Sequence, residues 1–119
     1  MKRLSRMLLL LLLVFAASAV LVWAASPAAR QGDMHVCPIM VPVPHVGGPI
    51  LPPCCPTVII GGMPAARVDD LAQCAGAIDV IATGSPTVII GGRSAARKGD
   101  ATVHGGVITQ GCATVIIGP

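Results

Sequence analysis

Residues 56–70 read PTVIIGGMPAARVDD and residues 86–100 read PTVIIGGRSAARKGD, one unit written twice. Two fragments complete the pattern. Residues 27–33, PAARQGD, carry the second half of the unit with no TVII before it, and residues 113–119, ATVIIGP, carry the first half with no AAR after it. Two whole units and one divided unit make three. A repeat of this kind cannot bury its apolar face alone, so three copies pack around a common axis. The pattern predicts a closed, pseudo-threefold object whose two ends meet.

Each unit reads as a hairpin. Residues 57–60 form a β-branched run, Gly61 and Gly62 follow, and 63–68 continue. Paired glycines supply the positive φ that tight hairpin turns require. Residues 87–90, Gly91-Gly92 and 93–98 repeat the arrangement, and 113–117 supply the outgoing strand of a third hairpin whose return strand is 28–30. Connectors rich in Gly and Pro lie over 37–55, 71–85 and 101–111, and nothing has helical periodicity. The TVII runs are buried core strands. The expected fold class is all-β.

Composition bounds this further. A length of 119 residues holds one domain. The chain is 54% hydrophobic, yet beyond 8–22 its apolar residues fall in short runs broken by 14 Gly and 11 Pro, too short for a membrane helix. The only aromatics, Phe15 and Trp23, precede residue 26. A small core of Val, Ile, Leu and Ala alone calls for an additional staple. The net charge of +3 comes from Lys2, Arg3 and Arg6; afterwards Arg30, Arg67, Arg93, Arg97 and Lys98 balance Asp33, Asp69, Asp70, Asp79 and Asp100. That balance excludes the basic footprint of a nucleic-acid binder.

Residues 1–25 stand apart as an N-terminal hydrophobic segment before the domain at 26–119. A basic start, an uncharged stretch over 7–25 and small residues at 17–19 and 22–24 make a secretory leader. The same 19 uncharged residues suffice for a retained membrane anchor, and an upstream start codon is a third reading.

The three histidines and five cysteines fall in or beside the connectors. Four residues beyond the last aspartate of each unit stands a metal-ligating side chain: Cys37 after Asp33, Cys74 after Asp70, His104 after Asp100. A second echo links His45-Val46-Gly47-Gly48 with His104-Gly105-Gly106; each leads to an isoleucine and then to cysteine, Cys54-Cys55 or Cys112, before a TVIIG strand. Threefold-related connectors converge at one end of the axis, so ligands meet there without a CxxC motif. Imidazole with thiolate favours Zn²⁺ over the oxygen-seeking Mg²⁺ and Ca²⁺, and four protein ligands make a structural site. Disulfides are the competing reading for an exported chain, with Cys37 and Cys74 the natural pair and one of five cysteines left over.

Catalytic constellations are missing from the sequence: no Ser-His-Asp arrangement, no phosphate loop opening a helix, and no glutamate. The aspartates that follow the AAR turns suit backbone hydrogen bonds or pairing with arginine. A non-enzymatic role is expected.

Pro-Ala-Ala-Arg at 27–30 and 64–67, Ser-Ala-Ala-Arg at 94–97, GDMHVCP at 32–38, PHVGGP at 44–49, Gly99-Asp100 leading to His104-Gly105-Gly106, and GCATV at 111–115 resemble the segments of the PAAR-repeat family. The resemblance covers 26–119. It implies a small cone of β-hairpins whose base sits on the trimeric VgrG spike of a bacterial type VI secretion system, one copy per trimer. It also implies a tip held by a structural zinc with three His and one Cys. Carried over by motif, the ligands are His35, His45, His104 and Cys112, with Cys54 or Cys55 as an alternative thiol. Any effector cargo is then a separate protein, since the chain ends at the last strand that resembles the family. The family role places the protein on an exported spike; a functional segment 1–25 places it at the inner membrane or in the periplasm. The alternative from another class is an anchored or periplasmic zinc-binding β-domain with no spike.

Overall fold

The computed structural model describes residues 25–119, so the leader or anchor expected over 1–25 lies outside the described residues except for Ala25. Eight short strands follow in order: β1 (Ser26–Ala28), β2 (Cys55–Ile60), β3 (Met63–Ala65), β4 (Leu71–Ala72), β5 (Asp79–Val80), β6 (Ile89–Ile90), β7 (Arg93–Ser94) and β8 (Cys112–Ile117). They pair antiparallel as β1–β8, β2–β3, β4–β5 and β6–β7, and no helix occurs among the described residues. The fold is all-β, as the repeat requires.

Three of these pairs are the expected hairpins, and the third joins the two ends of the domain. Their irregularities match. Cys55 pairs with Ala65 and the next pair is Ile59 with Pro64; Cys112 pairs with Ala28 and the next is Ile116 with Pro27. In the remaining copy the Ser85 amide donates to the Ala95 carbonyl at 2.8 Å and the next pair is Ile89 with Ser94. Each long strand therefore bulges at its Pro/Ala-Thr-Val step, which turns the β-branched valine towards the core: Val58, Val88 and Val115 pack against the cluster of Ala28, Ile60, Ala65, Ala95, Cys112 and Ile117. The expectation that the TVII runs are buried core strands fails in part, because the bulge leaves their threonines and Ile59, Ile89 and Ile116 exposed.

The axis is marked by a closed ring of backbone hydrogen bonds. Ala29 donates to Ala96 at 2.9 Å, Ala96 to Ala66 at 3.0 Å, and Ala66 to Ala29 at 3.0 Å. Three backbones meet here, which leaves room for a methyl group and no more; the three alanines are 0–1% exposed. Outside the ring each arginine of the AAR triplet clasps its own aspartate and the next hairpin. The Arg30, Arg67 and Arg97 amides donate to Asp33, Asp70 and Asp100 carboxylates at 2.8, 2.8 and 2.7 Å. Their Nη1 groups reach the carbonyls of Gly61, Gly91 and Gly118 at 3.3, 3.2 and 3.1 Å. The turn between arginine and aspartate takes a left-handed residue. Gly32 and Gly99 have φ of +89° and +92°, and Asp69 fills the same place at +75°.

Beyond each aspartate the chain runs out and back as a narrow arm. The arms are held in sequence by three equivalent bridges, Ile50 with Ala72, Ile81 with Thr102, and Ile108 with His35. Within each arm the pairs are Met34 with Pro49, Leu71 with Val80, and Ala101 with Val107. Ile50, Ile81 and Ile108, each at most 1% exposed, stack on the alanine ring as the apolar centre. Full burial of each stabilises the fold by about 1.5–3 kcal/mol. The Gly- and Pro-rich connectors thus carry short pairings of their own. Ladders only one or two residues long carry no periodicity to read, and the β4–β5 pair has only Leu71, Ala72, Asp79 and Val80.

Candidate metal centre at the arm ends

Equivalent positions in the repeat deliver equivalent side chains to the arm ends. Cys37, Cys74 and His104 each stand four residues past the clasped aspartate, and His45 returns to them along the first arm. The ligand atoms of Cys37, His45, Cys74 and His104 all lie within 4.8 Å of one another. Cys37 Sγ is 3.5 Å from His104 Nδ1, and the His45 and His104 rings stand 5.2 Å apart at 53°. Zinc–sulfur and zinc–nitrogen bonds of about 2.3 and 2.0–2.1 Å set tetrahedral ligand atoms roughly 3.3–3.8 Å apart, so the group needs only a small contraction to hold a cation. His45 and Cys74 are buried, while Cys37 and His104 are half-buried.

Two further features fit a metal. The buried His45 Nδ1 has no hydrogen-bond partner among the described residues, a cost that a protein removes by giving such an atom a ligand. Burial, with the neighbouring Cys37 thiol, pushes the Cys74 thiol up to about 11, so this proton must leave before a cation binds there. Two sulfurs and two imidazoles with no oxygen form a donor set for a soft or borderline ion.

Glycines make the convergence feasible. A Cβ on Gly47 would lie 2.0 Å from the His35 carbonyl oxygen, and one on Gly106 would lie 1.7 Å from that of Val36. The segment carrying Cys37 is thus sandwiched between two glycine backbones, the Gly-Gly halves of the His-x-Gly-Gly and His-Gly-Gly echoes. Gly76, at φ +94°, leaves its side-chain space to His45 Nε2, 2.9 Å from where a Cβ would stand.

Of the four ligands that the resemblance implied, the structure brings His45 and His104 together and places His35 and Cys112 elsewhere. His35 occupies the arm position of Ala72 and Thr102 and points into the core at 1% exposure. Its Nδ1 is 2.8 Å from the Gly48 carbonyl and its Nε2 is 3.1 Å from Asp79 Oδ2. The fully buried Asp79 accepts the Val80 and His104 amides at 2.8 and 3.0 Å, and its Oδ2 lies 3.8 Å from His104 Nδ1. Burial acts to raise its carboxyl, but the Thr102 hydroxyl and those two amides outweigh it and hold the group below the usual carboxylate range. Asp79 therefore links the His35 strut to the ligand group. It stands two residues before Ile81 as Gly48 and Gly106 stand before Ile50 and Ile108; that alignment is the one sequence signal that marks it.

Cys112 sits in a hairpin bulge. Its repeat mates are Cys55 and Ser85, each two residues before the threonine of TVII. Ser85 Oγ accepts the amides of Thr87 and Val88 at 3.2 and 3.0 Å. Cys55 and Cys112 lie against Thr57 and Thr114 hydroxyls at 3.4 and 3.3 Å. Those hydroxyls and the following amides draw both thiols downward. Cys54 is separate again: it donates to the Leu51 carbonyl at 3.3 Å, and burial pushes its thiol up to about 12.

The aspartates of the AAR turns are all engaged by arginine and backbone, as expected of them. No curated protein matches the chain. The family model described as PAAR motif matches residues 40–110, from the first arm through both complete repeats to the third arm. With more than half its length in that match, the chain belongs to the PAAR motif family.

Proposed function

We propose that this protein is a structural, non-enzymatic spike tip of a type VI secretion system, the known role of its family, and that it caps a trimeric VgrG-like spike as one copy per trimer. The observation that carries the reading is a set of three exposed isoleucines. Ile59, Ile89 and Ile116 are 58, 59 and 56% exposed and occupy the same position in the three TVII strands, on the hairpin side of the alanine ring. An apolar patch repeated about a threefold axis suits a partner with three identical chains, because each chain then meets the same surface.

At the other side, the arm ends suit a zinc held by Cys37, His45, Cys74 and His104. This set replaces the one the resemblance implied. When bound, zinc cross-links all three arms, and four protein ligands leave no open position for a substrate. The core contains no aromatic residue among those described, so such a cross-link supplies the staple that a small Val/Ile/Ala core lacks.

Co-expression with the cognate spike protein and native mass spectrometry test the reading. The expected complex holds one copy of this chain on three spike chains. A 3:3 complex, or none, overturns the capping function and leaves the zinc-binding β-domain as the account.

A further inference from the structure

We propose that Cys37 and Cys74 form a thiol–disulfide exchange site, so that the arm ends exist either as a metal-binding dithiol or as a Cys37–Cys74 disulfide that joins two arms. The inference rests on the proposed metal centre, and it concerns a covalent modification of that group. Both cysteines are free thiols, and their sulfurs are within 4.8 Å of each other. A disulfide needs about 2.05 Å, and the movement falls on arm ends held by ladders of one or two residues.

Access orders the steps. Cys37 is half-buried and Cys74 is buried, so Cys37 meets an incoming oxidant. With a low-molecular-weight disulfide such as oxidised glutathione, the Cys37 thiolate attacks one sulfur of the reagent. A mixed disulfide forms as the reagent's S–S bond breaks and one glutathione thiolate departs. The Cys74 thiolate then attacks the Cys37 sulfur, the protein disulfide forms, and the second glutathione thiolate departs. Two protein thiolates are oxidised, one reagent disulfide is reduced to two thiols, and no other reactant is required.

The remaining cysteines stand outside this chemistry. Cys55 and Cys112 are tied into separate hairpin bulges and Cys54 into the turn at Leu51. Oxidation removes both sulfurs from the ligand set and leaves His45 and His104, which hold zinc far more weakly than four ligands do.

The experiment uses the full chain, reduced, in zinc-free and zinc-loaded forms, with oxidised glutathione as the probe. Expected are the loss of two reactive thiols, a cross-linked tryptic pair joining 31–67 to 68–93, release of the zinc from the loaded form, and reversal of all three by dithiothreitol. Cys37→Ser should abolish the cross-link, whereas Cys55→Ser should leave it. A cross-link through Cys54, Cys55 or Cys112, or zinc-free protein that keeps all its thiols reduced, overturns the proposal. Zinc titration of the reduced chain is a separate arm. Failure to bind zinc there, with the disulfide still forming, counts against the metal centre and for the exchange site.

Discussion

Repeat equivalence explains the cysteines better than their chemistry does. Cys112 and Ser85 hold the same place in two copies of one bulge, and the task there is to accept amide hydrogen bonds beside a threonine. Cys112→Ser should therefore keep the fold within about 1 kcal/mol and keep one zinc per chain, whereas Cys74→Ala should reduce zinc content to near zero; elemental analysis with thermal melting reads both. Asp79 is the other residue with a distinct signature. Its folded carboxyl is held below its ordinary value, so the native state favours the ionised form. The resulting stability is present above the unfolded pKa of about 4 and is lost as pH falls through the lower folded pKa. In metal-free protein, Asp79→Asn should cost about 1–3 kcal/mol at neutral pH, as for weakened hydrogen bonds to a buried carboxylate, and flatten the decline in melting temperature below pH 4.

At the scale of elements, the hairpins were legible and the arms were not. TVII followed by Gly-Gly encodes a strand and its turn within ten residues, and its three copies fixed both the pairing and the meeting of the two ends. The arms lack such a signal because their ladders are short and their partners come from different connectors, as with His35 and Ile108. The position four beyond each aspartate still pointed to Cys37, Cys74 and His104, since threefold placement alone brings those residues together. The motif-based transfer to His35 and Cys112 had no access to side-chain direction, and Asp79 in the core redirects His35 away from the arm ends. The glycines of the histidine echoes show the same limit: their role is a backbone contact invisible in sequence. Gly106→Ala would drive a Cβ to 1.7 Å from the Val36 carbonyl oxygen, while Gly118→Ala meets nothing within 4 Å. The first should separate two arms, cost about 3 kcal/mol or more by overpacking, and lose zinc. The second should melt within about 0.5 kcal/mol of the parent.

For the molecule as a whole, pseudo-symmetry allows one chain to act as three. Its three hairpins are made from different residues, yet the alanine ring, the arginine clasps and the bulges repeat closely enough to set Ile59, Ile89 and Ile116 at 56–59% exposure. Small asymmetries survive around them. Arg93 follows the Gly-Gly turn where Met63 stands in another copy, and it lies 3.9 Å from Asp70. The decisive test of capping is therefore whether the three isoleucines are equivalent in binding. Ile59→Ser, Ile89→Ser and Ile116→Ser each remove an exposed apolar side chain from the proposed interface, a loss of about 1.5 kcal/mol or tenfold in affinity for burial against a partner. In the proposed capping complex each faces one of three identical spike chains, so the three losses should agree within about a factor of three, and the double variants should multiply them, as separated sites do. Zinc content should stay at one per chain throughout, since none of the three touches the arm ends. A single dominant isoleucine would show that the partner meets one hairpin rather than the axis, and three silent variants would remove the hairpin side from the interface altogether.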